Sequence, residues 1–165
     1  AFSCTNSDLW LFTGESSTKP AVSLLDFQNN VFWHKGTFDE GKAFRIMNGS
    51  SGTISKLIFK KNTFVNLPTR SNQSSYIGHT IASADVQSNI FYMASQPING
   101  RLLQNGCEDF THADNYYYNP EGKTFNGLSS GADFTSMTES PFTSFNVTTG
   151  TFVKASAYAA YGAKR

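Results

Sequence analysis

Short apolar runs recur along the chain in a fixed order. The first kind of run appears as "LWLF" (Leu9 to Phe12), "FRIM" (Phe44 to Met47), "YIGHTI" (Tyr76 to Ile81) and "RLLQ" (Arg101 to Gln104), each followed by a turn such as "TGESSTKP", "NGSSGT", "ASA" or "NGCE". The second kind ends on an asparagine, with an aromatic residue two positions beyond it: "FQNNVF" (Phe27 to Phe32), "FKKNTF" (Phe59 to Phe64), "VQSNIF" (Val86 to Phe91) and "HADNYY" (His112 to Tyr117). Each unit therefore reads strand, turn, strand, asparagine corner, strand, loop. Alternation along "SKLIFKKN" points Leu57 and Phe59 to one face, and the strand past Asn62 sends Phe64 into the same interior.

Asn30, Asn62, Asn89 and Asn115 lie 32, 27 and 26 residues apart. Unequal intervals of this size suit coils that stack only on their neighbours and carry loops of different length. Stacking sets Asn over Asn and Phe over Phe. Asparagine suits the corner, because it tolerates the left-handed conformation better than other residues with a Cβ and its amide can bond the backbone or the matching Asn one coil away. The predicted fold is all-β: a right-handed parallel β-helix of three-strand coils with an asparagine ladder. An antiparallel sandwich is the competing reading, and it scatters the four asparagines over different faces.

Composition supports strands over helices. In 165 residues there are 15 Phe and 7 Tyr but only 15% charged residues, beside many Ser, Thr and Asn. That length suits one domain with a real core. The net charge of +1 gives no reason to expect nucleic acid as a partner. Cys4 and Cys107 form neither a disulfide scaffold nor a CxxC metal site, and both are read as thiols. No apolar stretch approaches ~18 residues, so no membrane span is predicted, and no signal-peptide pattern opens the sequence.

The asparagine-cornered coils resemble the right-handed parallel β-helix of pectate-lyase-like proteins, in which an asparagine ladder often lines the short turn between the second and third strands. The C-terminal stretch "SPFTSFNVTTGTFVKASAYAAYGAKR" (Ser140 to Arg165) is similar to the ending of many bacterial secreted β-helix proteins. Pro141, Phe142, Asn146, Gly150, Phe152, Gly162 and Ala163 take the places of its "DP-F", "N-x-x-x-G-x-F" and "GA" elements, with Ser140 where Asp is usual. The resemblance implies a secreted or cell-surface protein of polysaccharide-utilising bacteria. It divides the chain into coils over 1–127 and a closing segment of the same domain over 128–165. "AFSCTNS" at the N-terminus resembles the tail of an earlier coil, so an upstream part of the parent protein is an expected partner.

Fold resemblance does not carry chemistry with it. The acidic residues are scattered singly apart from Asp39–Glu40 and Glu108–Asp109, whereas a lyase needs clustered acids for Ca²⁺ and a hydrolase needs several catalytic aspartates together. His34, His79 and His112 fall in different units without metal-ligand spacing, and no G-x-S-x-G motif is present. No catalytic residue, metal site or cofactor is assigned; Ca²⁺ enters only with a lyase. Carbohydrate binding is the leading expectation. In-register stacking would bring Trp10, Arg45, His79 and Arg101 near one another on the first-strand face, where an indole can stack on a sugar ring and Arg can pair with a uronate carboxylate. His79 shares the face of Ile77 and Ile81, so alternation does not turn it outward. Alternation also leaves Trp33, Tyr92, Tyr116 and Tyr118 as an exposed aromatic stripe on the third-strand face. Three functions follow: a non-catalytic module binding a polysaccharide, an acidic plant one in particular; the C-terminal fragment of a polysaccharide lyase or hydrolase whose catalytic residues lie upstream; or a structural spacer.

Overall fold

The computed structural model describes residues 2–4, 9–13, 21–34, 44–48, 53–66, 75–77, 80–92, 101–103, 107–120 and 134–164. They form β1 (Phe2–Cys4), β2 (Leu9–Thr13), β3 (Ala21–Gln28), β4 (Val31–His34), β5 (Phe44–Asn48), β6 (Thr53–Lys60), β7 (Thr63–Val65) and β8 (Ser75–Ile77). After these come β9 (Thr80–Gln87), β10 (Ile90–Tyr92), β11 (Arg101–Leu103), β12 (Cys107–Ala113), β13 (Tyr116–Tyr118), β14 (Thr135–Ser136), β15 (Phe142–Asn146) and β16 (Thr151–Lys154). A single 3₁₀ turn, Ser156–Tyr158, is the only helical element among the described residues. None of the described residues forms a helix long and apolar enough to cross a membrane.

The protein is all-β, and its three main sheets are parallel. One sheet runs β2-β5-β8-β11, the second β3-β6-β9-β12, and the third β1-β4-β7-β10-β13-β14. From β1 to β10, each strand pairs with the strand three places further along. The chain thus visits the sheets in turn and returns to the first one round later. Only β15 and β16 pair antiparallel.

The side chains explain this register. In the second sheet Leu25, Leu57 and Ala84 share one row, and Phe27, Phe59 and Val86 another; all six are buried. In the third sheet Phe32, Phe64 and Phe91 stack at centroid spacings of 4.7 and 4.6 Å, close to the ~4.8 Å between paired strands. Phe134 ends that column edge-on to Phe91, 5.1 Å away. A slip of one residue in these rows would send the whole apolar set outward. The inward direction of Leu57, Phe59 and Phe64 agrees with the alternation in the sequence.

The four asparagines lie in one row. Asn62 Oδ1 accepts from the Asn30 backbone N–H (3.0 Å), Asn89 Oδ1 from Asn62 N–H (2.8 Å) and Asn115 Oδ1 from Asn89 N–H (3.2 Å). Their Nδ2 groups reach back one round: Asn62 to Phe27 O (2.9 Å), Asn89 to Phe59 O (2.8 Å) and Asn115 to Val86 O (2.8 Å). Asn62 and Asn89 are fully buried, so these bonds satisfy polar groups that water cannot reach.

Contrary to expectation, none of the four ladder asparagines has the left-handed conformation. The left-handed residue is the one before each ladder position: Asn29 (φ 59°), Lys61 (52°), Ser88 (58°) and Asp114 (55°). The ladder residue is selected for its buried amide rather than for its backbone. That distinction predicts unequal costs along the row. Asn89→Ala orphans the Asn62 N–H and the Phe59 carbonyl and should lower stability by about 2–4 kcal/mol, whereas half-buried Asn30, whose Oδ1 receives no described donor, should cost about 1 kcal/mol or less. Urea midpoints of the two variants check the ranking.

Candidate functional site

Register places the predicted binding residues in one line. Trp10 pairs with Arg45 in β2 and β5, continuation of the Met47–Ile77 pairing brings Arg45 level with Ser75, and Ser75 pairs with Arg101. Trp10, Arg45, Ser75 and Arg101 therefore occupy one row across the first sheet, at strand spacings of ~4.8 Å. The side chains of Trp10, Arg45, Ser75 and Arg101, and all of His79, lie outside the described residues.

The outer face of the second sheet carries a polar patch that the sequence did not single out. Its rows are Leu24–Lys56–Ser83–Asp109, Asp26–Ile58–Asp85–Thr111 and Gln28–Lys60–Gln87–Ala113. Here the patch closes on itself. Gln28 Nε2 donates to Asp26 (3.0 Å), Gln87 Nε2 to Asp85 (2.6 Å) and Ser83 Oγ to Asp109 (3.0 Å), while Lys60 forms an ion pair with Asp85. Asp26 and Asp85 stand two strand spacings apart with Ile58 between them, so they do not share a proton. No group of three His, Cys, Asp or Glu close enough to hold a metal occurs among the described residues. The arrangement suits hydrogen bonding and offers no paired acid and base.

The expected aromatic stripe is corrected by the structure. Trp33, Tyr92 and Tyr118 do share a row, with Val65 between Trp33 and Tyr92, but the C-terminal segment covers it. Tyr92 is 5% exposed, with Phe142 and Phe145 at centroid distances of 5.3 and 5.1 Å. Trp33 Nε1 donates to Val147 O (2.8 Å), and its ring meets Phe152 edge-on at 5.9 Å. Tyr116 packs against Tyr158 and Tyr161. Alternation identified the outward face correctly; what lies on that face comes from residues far along the chain. One signal was present. "VFW", "TFV" and "IFY" are apolar or small at every position, the pattern of a strand covered on both sides.

The covering segment is built from the C-terminal motif. Asn146 Oδ1 accepts from Thr148 N–H (2.9 Å) and Thr149 N–H (3.1 Å) and so fixes the turn between β15 and β16. Ser140 Oγ accepts from Phe142 N–H (3.1 Å), a bond that the usual Asp carboxylate could also accept. Gly150 has φ +68° and lies against the indole, where an added Cβ would sit 2.6 Å from Trp33 Cζ2. The segment lies along the flank of the third sheet and reaches back as far as β4.

Comparison with known protein families, with curated proteins and with solved structures found no match. The functional reading therefore rests on the geometry and on the resemblance of the motifs.

Two outcomes test the covered flank. Gly150→Ala should destabilise the protein by about 2 kcal/mol or more, through left-handed strain and the clash with Trp33, and should shift the indole fluorescence toward that of solvated tryptophan. The second concerns Tyr116, whose hydroxyl is pushed from the usual 10.0 to about 12, chiefly by its hydrogen bond with Tyr161 and then by burial. A raised folded value means this contribution is complete below pH 10 and disappears as pH rises through about 12. Alkaline titration of phenolate absorbance should show Tyr116 among the late tyrosines, beside Tyr92, which burial and then Tyr118 also raise, and Tyr161→Phe should move the Tyr116 component back toward 10.

Proposed function

We propose that this chain is a right-handed parallel β-helix module of an exported bacterial protein, and that it binds an acidic polysaccharide along the ribbon of β2, β5, β8 and β11. Strands paired three places apart, in parallel and with a buried asparagine row, support the β-helix; right-handedness is the rule for parallel crossovers. The observation that carries the binding reading is the common row of Trp10, Arg45, Ser75 and Arg101. Three strand spacings make it about 14 Å long, the scale of a short oligosaccharide. Trp10 would supply a stacking platform, Arg45 and Arg101 the charge, and Ser75 a hydroxyl between them.

A second reading, the structural spacer, is favoured by one observation. On the second sheet Asp26, Gln28, Lys60, Ser83, Asp85, Gln87 and Asp109 bond one another, and the aromatic flank is already covered.

Binding of polygalacturonate fragments decides between them. Arg45→Ala with Arg101→Ala should weaken binding at least tenfold, leave the unfolding midpoint unchanged, and flatten the salt dependence expected for charges screened over ~8 Å at physiological ionic strength. Undiminished affinity in the double variant sinks the ribbon reading. Absence of binding to acidic and neutral glycans alike leaves the spacer.

A further inference from the structure

The last residues gather positive charge at the asparagine corners, away from the ribbon. Residues 162–164 cross the rounds one after another. Gly162 N–H donates to Ser88 O (2.6 Å), Ala163 N–H to Thr63 Oγ1 (2.9 Å) and Lys164 N–H to Asn29 Oδ1 (2.5 Å). Lys164 is thereby set beside the row in which Lys61 follows Asn29, one strand spacing away. Lys154, on β16, is held at the same place: its Nζ donates to Ala159 O (3.2 Å) and Tyr161 O (2.6 Å), just before the crossing. Burial first, then the charges of Lys164 and Lys61, pull the Lys154 pKa below its ordinary value. Among the described residues no carboxylate forms an ion pair with these lysines; the ion pair described on the neighbouring sheet belongs to Lys60 and Asp85.

A depression of about 560 Å³ opens beside Lys154 and Lys164, lined among others by these two and by Thr149, Thr151 and Phe152. Its volume falls within the range of small-ligand sites. Lys154 has three N–H donors and spends two on carbonyls, so one remains. Lys61 and Lys164 are exposed and carry no described side-chain partner. The Thr149 and Thr151 hydroxyls stand 3.0 Å apart on the rim.

We propose that this depression is a second site, which binds an anionic saccharide: its carboxylate or sulfate group lies between Lys154 and Lys164, with Lys61 adding its charge from beside the depression, and its hydroxyls lie against Thr149 and Thr151. An anion there relieves the mutual repulsion of three ammonium groups, and the bonds to Ala159 and Tyr161 hold the central one in place before the ligand arrives. The anion part stands on the lysine geometry alone. The saccharide part rests on the polysaccharide reading.

Titration of the whole chain with sodium sulfate and, separately, with trigalacturonate tests both parts, read by backbone amide shifts and by calorimetry. Either probe should shift the Gly162 and Lys164 amides. Lys61→Gln with Lys164→Gln should weaken each at least tenfold without changing the unfolding midpoint, since both side chains are exposed, and Arg45→Ala with Arg101→Ala should leave the sulfate response intact. Trigalacturonate binding that ignores the lysine pair and leaves these amides unmoved overturns the site, with the ribbon reading untouched. A sulfate response lost in the lysine variant, with no saccharide bound by the wild type, supports the anion site and overturns its saccharide assignment together with the polysaccharide reading. No response to sulfate or saccharide overturns the site outright.

Discussion

Everything in this fold depends on the relay of amides that runs from half-buried Asn30 through the buried Asn62, Asn89 and Asn115. At each corner the preceding residue turns left-handed, and the asparagine N–H that follows it is removed from the strand pairing. The next round supplies the missing acceptor through its own asparagine Oδ1, while its Nδ2 returns to a carbonyl of the round before. A fully buried amide without these partners would cost more than an ordinary hydrogen bond gains. The relay therefore fixes register as well as stability: only one alignment of neighbouring rounds satisfies it.

The aromatic columns follow from that alignment. Two residues past each ladder position, Phe32, Phe64 and Phe91 fall into stacking range because the asparagines have already set the strands level. Phe64 and Phe91 are tilted by only 6°, as parallel copies one strand apart should be. On the other side of the same sheet, Val31, Val65 and Tyr92 form a second apolar surface with Phe142, Phe152 and Ala163. The C-terminal segment crosses several rounds, so its contacts also resist sliding of one round on the next. Gly162, with φ +64° and an added Cβ that would clash with Thr63 and Ile90, marks a place where the chain lies directly against the sheet.

The all-β class, the ladder, and the inward direction of Leu57, Phe59 and Phe64 were legible because they repeat, and repetition marks positions whose surroundings are identical. The left-handed corner was not. Asn29, Lys61, Ser88 and Asp114 share a conformation but no side-chain type, so no repeated letter reveals them. A further feature hides inside the second-sheet strands. Buried Ile54 and Leu57 are separated by exposed Ser55 and Lys56, and Ile81 and Ala84 by Ala82 and Ser83, so strict alternation fails at the same place in each round. The exposure of Leu24, at 50%, follows from the same slip, since it is level with Lys56 and Ser83. Asp26 and Asp85 look isolated in sequence, yet they stand two strands apart in space. Parallel stacking turns residues a whole unit apart into neighbours, which a scan for local acidic clusters does not detect.

The same geometry constrains charge. Any residue type repeated at one position of the unit becomes a row with a spacing of ~4.8 Å, and like charges at that distance repel. On the second sheet the problem is solved by alternation in kind: Lys60 lies between Gln28 and Gln87 and pairs with Asp85 on the next strand. On the first sheet Ser75 separates Arg45 from Arg101 in the row and doubles the backbone interval between them to about 9.6 Å. The net charge of +1 conceals these differences. What a partner meets is set by which rows cancel and which do not, and that is decided by register before any single side chain is considered.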